Sequence, residues 1–199
     1  MNKNKLLYLD YNYVKSFMKP GDVIAFSGDG FISNLIKWKT NSIISHVGCL
    51  VKKDKELKLI ESTTLKKKHG VSYNSLLERY KNYKGSLYWF PLKCKSYNSL
   101  DIDTYTDFLN DQNGKGYDTL GAVLSAIIIY GKEDFSKMFC SELVCASYKV
   151  GGILSPDINC SEMTPIDILR LPVFGKYYQF KGEKKTLDLS EGESYAKDF

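Results

Sequence analysis

The sequence predicts one α+β domain in which an antiparallel sheet or small barrel packs against helices. Residues 45–51 and 57–62 are two strand-like runs separated by a polar turn, which is the pattern of an antiparallel hairpin. Residues 140–150 repeat apolar side chains at helical spacing and end at Gly151 and Gly152, which predicts an amphipathic helix. The 199 residues are enough to bury a single core without staples.

The composition is that of a folded protein without a strong charge bias. Apolar residues make up 43% of the chain and charged residues 26%. The formal net charge of +5 is compatible with a peripheral contact to an anionic membrane surface. No basic run is interleaved with aromatic residues, so we expect no nucleic-acid partner. The basic run at residues 66–69 is interpreted as a solvated loop, and the oligomeric state is left open.

The cysteines indicate neither a disulfide framework nor a metal site. They are Cys49, Cys94, Cys140, Cys145 and Cys160. Their number is odd and no CxxC pair occurs, so we expect no metal, no cofactor and a reducing, cytoplasmic compartment. Residues 1–8 lack the apolar core of a secretory signal, and the longest apolar run, residues 120–130, is too short to span a bilayer.

The first half of the chain alternates strand-like runs with short helices. In order, we predict a helix within 6–18, a strand at 23–26, a helix at 31–38, the hairpin at 45–62, a short strand at 71–73 and a helix from 74 to 80. Pro20, Gly21 and Asp22 end the first helix, and Asp29 and Ser33 are candidate N-caps of the second.

The second half is richer in helices. In order, we predict a strand at 86–92, a helix at 99–109, a buried helix at 117–129 that also has strand character, the helix at 140–150, a short helix at 166–169, a hairpin region at 173–180 and a weakly ordered polar tail from 181 to 199. Thr164 is the predicted N-cap of the helix at 166–169, with Pro165 at its first position.

The register of the hairpin decides whether His46 and Glu61 share a face. With a two-residue turn at Lys53 and Asp54, His46 lies opposite Glu61, whereas a four-residue turn places it opposite Thr63. Directly opposed residues point the same way and side chains alternate along a strand. Both registers therefore put His46 and Glu61 on one face, while a register of the other parity would separate them.

Cys140 is the candidate nucleophile. It lies in the first turn of its predicted helix, where free N–H groups and the helix dipole favour a thiolate. A cysteine nucleophile needs an imidazole as base, and the imidazole needs an acceptor on its other nitrogen; His46 and Glu61 can supply these. The Cys140 N–H could also contribute to an oxyanion hole.

A structural interpretation of the same residues is also open. A cysteine in an apolar helix is commonly a small core residue, and a histidine in a strand is commonly structural. Cys145 lies about 140° around the helix from Cys140, which favours a core role. Cys49 faces away from His46 in the predicted strand, and His69 falls in the basic loop.

The order of several short motifs resembles a known family. The motifs are Pro20-Gly21-Asp22, Ser45-His46-Val47-Gly48, Ile60-Glu61-Ser62 and Phe139-Cys140-Ser141-Glu142-Leu143-Val144. Together they resemble the circularly permuted NlpC-like (YiiX-like) cysteine peptidases of the papain-like superfamily, which are distantly related to lecithin:retinol acyltransferase-like proteins. The cysteine helix follows the histidine strand here, as in the permuted order.

The resemblance implies a permuted papain-like fold and a thiol peptidase or amidase acting on a small peptide or amide. It assigns Cys140 as nucleophile, His46 as base and Glu61 as the residue that orients the imidazole. Tyr117 lies in a matching segment and is a candidate substrate-binding residue. Two alternatives stay open. One is a lipid-directed acyltransferase, phospholipase or thioesterase with exposed Phe31 and Trp38, and the other is a non-catalytic binding module.

Overall fold

A computed structural model describes residues 6–65, 68–115 and 138–190. The helix expected at 117–129, with its candidate Tyr117, lies outside these ranges. The strands are β1 (Leu7–Tyr8), β2 (Val23–Gly28), β3 (His46–Lys53), β4 (Glu56–Leu65), β5 (Lys68–Asn74), β6 (Gly85–Phe90) and β7 (Tyr178–Lys181). The helices are α1 (Tyr11–Val14), α2 (Phe31–Lys39), α3 (Leu76–Asn82), α4 (Cys94–Ser99), α5 (Ile102–Gln112), α6 (Met138–Val150) and α7 (Pro165–Arg170), with a 3₁₀ turn at Cys160–Glu162.

The described strands form a seven-stranded sheet in the order β1-β7-β6-β2-β3-β4-β5. All neighbours are antiparallel except β1 and β7, which are parallel. The α+β class with a largely antiparallel sheet is therefore confirmed. The sheet places β3, which begins at His46, between β2 and β4.

The hairpin adopts the second of the two expected registers, but with a two-residue turn in place of the expected four-residue turn. Lys52 pairs with Leu57 and Lys53 with Glu56. Asp54 and Lys55 form the turn, and both have positive φ, 51° and 67°. Two left-handed central residues are typical of a type I′ hairpin turn, whose twist suits the flanking strands.

The two faces of the sheet bury different cores. One, which we call the α6 face, includes Val47, Cys49 and Ile60, and α6 packs on it through Val144 and Tyr148. The opposite face, which we call the α3 face, joins residues of β2, β3 and β4 to α1 and α3. Its central members are Ile24, Phe26, Leu50, Leu59 and Leu76. The alternation along each strand produces this division.

The Pro-Gly-Asp motif anchors the start of β2. Gly21 has φ +92°, and a side chain there would also collide with Leu92 and Leu100. Its carbonyl accepts a hydrogen bond from the Tyr148 hydroxyl at 2.6 Å, which ties α6 to the turn. Asp22 is buried and accepts backbone and side-chain N–H bonds. The motif therefore has a structural role.

Several other expectations need correction. Residues 6–18 form β1 and α1 rather than one helix, and residues 68–70 belong to β5. The helix predicted at 99–109 is α5, which begins at Ile102 and ends at Gln112, and α4 is a separate helix before it. Neither Asp29 nor Ser33 caps α2, whose N-cap is Gly30 without a side-chain bond. Residues 173–180 form no hairpin, because β7 pairs with β6 and β1. Thr164 does cap α7, in a capping box with Asp167.

The cysteine pairing differs from the expectation of no disulfide. Cys145 on α6 is bonded to Cys160, which begins the 3₁₀ turn, while Cys49, Cys94 and Cys140 are free thiols. Cys145 is buried as expected. A disulfide is more typical of oxidising compartments, so the cytoplasmic location stays a prediction. Among the helices of the described ranges, none is long and apolar enough to cross a membrane.

Candidate active site

The helix α6 holds Cys140 against the N-terminal end of β3. The helix packs on the α6 face of the sheet, where its Ser147 hydroxyl lies 3.7 Å from the Cys49 sulfur. Cys140 falls in the first turn of α6, as the sequence predicts, and only 5% of it is exposed. Two helical turns separate Cys140 from Ser147, so the helix delivers the thiol near the first residues of β3.

The Cys140 sulfur lies beside the His46 ring and two backbone amides. Burial raises the pKa of this thiol, but the nearby His46 charge, a hydrogen bond from His46 and the N–H groups of Val47 and Ser141 outweigh it. The net result is a lowered pKa for Cys140. The regular pairing of β3 with β4 ends at Cys49 and Ile60, which leaves the Val47 amide for the sulfur.

The His46 ring bridges Cys140 and Glu61. Its Nε2 is 2.6 Å from Glu61 Oε2, which leaves Nδ1 for the sulfur. Burial lowers the pKa of His46, but Cys140 and Glu61 together raise it to about 9. These directions for Cys140 and His46 correspond to a thiolate beside an imidazolium, the protonation state of an activated cysteine nucleophile.

The Glu61 carboxylate is fully buried and held on both oxygens. Asn74 donates to Oε1 at 3.0 Å, and Arg79 donates through Nη2 to Oε2 at 3.0 Å. Arg79 Nε also lies 2.9 Å from Oε1, an ion-pair distance without hydrogen-bond alignment. Burial raises the pKa of Glu61, but the contacts with His46 and Arg79 lower it by more. The net pKa is lowered, so the group is an anion.

A glycine makes room for Glu61. Extending the register of β3 and β4 by one residue beyond the Cys49–Ile60 pair sets Gly48 opposite Glu61, and a Cβ on Gly48 would lie 3.1 Å from the Glu61 Cβ. His46 is two residues before Gly48 and therefore on the same face. The His46–Glu61 contact is thus diagonal across the strand pair, and the shared face expected from the sequence is present.

Aromatic rings frame the polar cluster. The Phe26 ring centroid is 5.1 Å from that of His46 and 5.1 Å from that of Tyr83. The Arg79 guanidinium lies 4.8 Å from the Phe26 centroid and 5.4 Å from that of Tyr83. The guanidinium thus lies beside both rings, an arrangement favourable to a cation.

The structure brings Cys140, His46 and Glu61 together, and Tyr117 lies outside the described residues. The sequence analysis did not identify Arg79 or Asn74 as members of the cluster. A signal for Arg79 was present, because a fully buried carboxylate requires compensating charge and donors. The predicted helix after Asn74 carries Arg79 beside the strand that holds Glu61, but the packing of that helix was not readable from its sequence.

Chemically, the cluster can present a nucleophilic sulfur, a proton donor and acceptor, and an amide N–H at a helix start. Within the described ranges, no group of three or more His, Cys, Asp or Glu side chains is arranged to hold a metal ion. His46 and Glu61 have each other as partners, which is the arrangement of a base and its orienting group.

Comparison of the sequence with protein-family models and with curated proteins gave no match. Among solved structures, the chain is similar to metalloprotein yiiX from Escherichia coli O157:H7. The two are 17% identical with a TM-score of 0.44, and the similarity covers 83% of this chain and 97% of the other. At this level of similarity, the description of the site depends on its own geometry.

Proposed function

We propose that the chain is a thiol hydrolase, a peptidase or amidase of the permuted papain-like type, that forms an acyl-enzyme on Cys140. The observation that carries the proposal is the continuous chain of contacts from the Cys140 sulfur through His46 to Glu61, with Nε2 of His46 2.6 Å from the carboxylate. A structural cysteine would be a neutral thiol in the core. This one has a lowered pKa although burial opposes ionisation.

The mechanism follows from these positions. The Cys140 thiolate attacks the carbonyl carbon of an amide, and the resulting oxyanion is stabilised by the Cys140 N–H at the start of α6. The His46 imidazolium gives its proton to the leaving nitrogen as the carbon–nitrogen bond breaks, leaving a thioester. Neutral His46 then takes a proton from water, whose oxygen attacks the thioester, and the released thiolate is again paired with imidazolium.

The proposal is tested with Cys140→Ala, Cys140→Ser and His46→Ala, with Cys94→Ser as matched control. Cys94 is the exposed free cysteine of the described chain. Turnover is screened on fluorogenic peptide, isopeptide and simple amide substrates. We expect the turnover rate to fall at least about a thousandfold in the site variants and to stay at the native level in the control. Full activity of Cys140→Ala on a substrate that the native protein cleaves would exclude the mechanism.

A labelling experiment separates this proposal from a non-catalytic binding module. At pH 7, iodoacetamide should react faster with Cys140 than with exposed Cys94, because Cys140 has the lowered pKa. Mass spectrometry of the labelled peptides gives the two rates in one sample. If Cys140 is labelled in the folded protein within hours, which shows that the reagent reaches it, a rate at or below that of Cys94 favours the binding module.

One observation favours the lipid-directed alternative. On α2, Trp38 is 79% exposed and Leu35 is 40% exposed, whereas Ile36 is buried. Leu35 and Trp38 are three residues apart and so form an apolar outer stripe on a helix that leads towards His46. If this stripe contacts lipid, the protein co-sediments with neutral or anionic vesicles and Trp38→Ala releases it. No sedimentation with either vesicle type would count against the alternative.

A further inference from the structure

We propose that Arg79 is a positioning residue of this site, which fixes the Glu61 carboxylate and limits how strongly His46 holds its proton. The inference rests on the proposed function only in taking His46 as the group that transfers the proton. It is independent of the substrate, since every group that it concerns lies in the protein.

The first support is the geometry of the Arg79–Glu61 contact. Arg79 reaches both carboxylate oxygens, Oε2 through Nη2 at 3.0 Å and Oε1 through Nε at 2.9 Å. Oε2 is the same oxygen that meets His46 Nε2 at 2.6 Å. A planar guanidinium that is hydrogen-bonded to one oxygen and in ion-pair contact with the other restricts the rotation of the carboxylate. Arg79 therefore sets the direction in which Glu61 presents Oε2 to the imidazole.

The second support is that Arg79 is itself held in place. Its side chain is 15% exposed and packs against both the Phe26 and the Tyr83 ring. The helix that carries it begins at a capped position, where the Ser75 hydroxyl accepts the Glu78 N–H at 3.3 Å. Exposed ion pairs contribute little because their side chains move and water screens them. The Arg79–Glu61 pair is instead held by its packing and largely shielded from water.

The third support is the alternation of charge along the cluster. The order is thiolate, imidazolium, carboxylate and guanidinium, so each charge lies beside one of opposite sign. Without Arg79, the whole charge of Glu61 would act on His46 and would stabilise its protonated form further. An imidazolium that is too stable is a poor proton donor to a leaving nitrogen. Arg79 thus keeps His46 able to act as an acid.

The other titratable groups around His46 do not supply this positive charge. In the described part of the chain, Cys140 acts on His46 directly, Cys49 interacts with Cys140, and Tyr83 interacts with Glu61 and Arg79. Burial raises the pKa of Cys49 and of Tyr83 to about 12, so both are neutral near pH 7. Burial also raises the pKa of the partly buried Glu142 carboxyl. All of these groups are acids. Among the described residues, the cations in contact with Glu61 are His46 and Arg79.

The test measures the pKa of His46 by NMR. The chain has only two histidines, so a side-chain spectrum contains two imidazoles, and His69→Gln identifies the signal of His46. Arg79→Gln removes the positive charge but keeps an N–H hydrogen-bond donor on a shorter side chain. We expect it to raise the His46 pKa by about one unit. Arg79→Lys keeps the charge and should bring the pKa back towards the native value.

The matched control uses the second of the two arginines in the chain. Arg170 also pairs with a carboxylate, with Nη1 3.6 Å from Asp167 Oδ1, but on α7. Arg170→Gln should leave the His46 titration unchanged. A His46 pKa in Arg79→Gln that stays within about 0.2 units of the native value overturns the inference, given that the variant keeps the native circular dichroism spectrum.

Two further measurements keep the test decisive. If Arg79→Gln does not fold, Arg79→Lys is compared with the native protein in the rate of Cys140 alkylation at pH 7. An ammonium cannot span both oxygens, so we expect a change of at least about threefold, and an unchanged rate overturns the inference. Cys140→Ala tests the proposed function separately, because loss of the thiolate should lower the His46 pKa whatever Arg79 does.

Discussion

Two buried carboxylates of the same sheet, Asp22 and Glu61, have different kinds of partner. Asp22 is 2% exposed and directly precedes β2. Its Oδ2 accepts the Lys19 N–H at 2.9 Å and the Trp89 indole N–H at 2.9 Å, and its Oδ1 accepts the Leu92 N–H at 3.0 Å. All three donors are neutral, and two of them belong to the backbone. The carboxylate joins β2 to the end of β6.

Glu61, in the middle of β4, is surrounded mainly by cations. Its partners are His46, Asn74 and Arg79, two of which carry positive charge beside the anion. Burial alone raises the pKa of both carboxyls. It prevails at Asp22, where the pKa rises to about 6, and it is outweighed at Glu61, where the pKa falls. Neutral donors fix a structure, whereas charged partners make a carboxylate an electrostatic part of a site.

The largest expected difference between Glu61 and Asp22 is in their effect on the reactivity of Cys140. Glu61→Gln keeps the shape but removes the charge that raises the pKa of His46, so the thiolate of Cys140 loses its support. We expect turnover to fall about a hundredfold or more, and alkylation of Cys140 at pH 7 to fall at least about tenfold. Both rates come from the same purified variant.

Asp22→Asn is the control for this prediction. It also replaces a buried carboxylate by an amide, but it lies away from Cys140 and should leave the alkylation rate of the folded protein within about twofold of native. Equal losses in the two variants would mean that Glu61, like Asp22, acts only through folding.

The second prediction concerns stability, for which Asp22 should matter more than Glu61. Asp22→Ala leaves the N–H donors of Lys19, Trp89 and Leu92 without their acceptor, and the Trp89 and Leu92 bonds are buried. We expect the free energy of unfolding to fall by about 2–4 kcal/mol, measured by urea denaturation. The remaining folded protein should still alkylate at Cys140. An unchanged denaturation midpoint would show that water replaces the carboxylate at no cost.

The dependence of stability on pH separates the two carboxylates again. The pKa of Asp22 is raised from 3.8 to about 6 in the folded state, so its contribution is present below about pH 4 and is lost as pH rises through 6. The lowered pKa of Glu61 acts in the opposite direction, with stability lost as pH falls below 4.5. Asp22→Asn should therefore weaken the decline between pH 4 and 6 by the order of 2 kcal/mol. Urea midpoints at pH 4, 5, 6 and 7 measure it, and parallel curves for the native protein and Asp22→Asn would contradict it.

Much of this fold could be predicted because local signals agreed with the tertiary structure. The hairpin that contains His46 and Glu61 has alternating strands and a polar turn, and α6 has a clear apolar stripe ending in glycine. The residues near the N-terminus were misassigned because their apolar spacing suits a helix, whereas Leu7 and Tyr8 pair with β7. Pairing with a strand 171 positions later leaves no local signal.

The site could be predicted only in part, for a related reason. The parity of the hairpin register placed His46 and Glu61 on one face, since the two expected registers and the observed one have the same parity. Arg79 was not found, because its role depends on how α3 packs across the α3 face. The Cys145–Cys160 bond was not found either, since the two cysteines are brought together by the turn after α6 and not by a spacing motif.

The smallest expected effect tests the space beside Glu61. A Cβ on Gly48 would lie 2.9 Å from Leu59 Cδ1 and 3.1 Å from the Glu61 Cβ, so Gly48→Ala must displace one of them. We expect alkylation of Cys140 to slow by about threefold to tenfold, with a stability loss of about 1–2 kcal/mol. Gly175→Ala is the control, because its Cβ would meet only the Pro91 carbonyl at 3.7 Å. If Gly48→Ala loses stability without slowing alkylation, Leu59 moves instead of Glu61, and the carboxylate is held more firmly by Arg79 and His46 than by the packing of its strand.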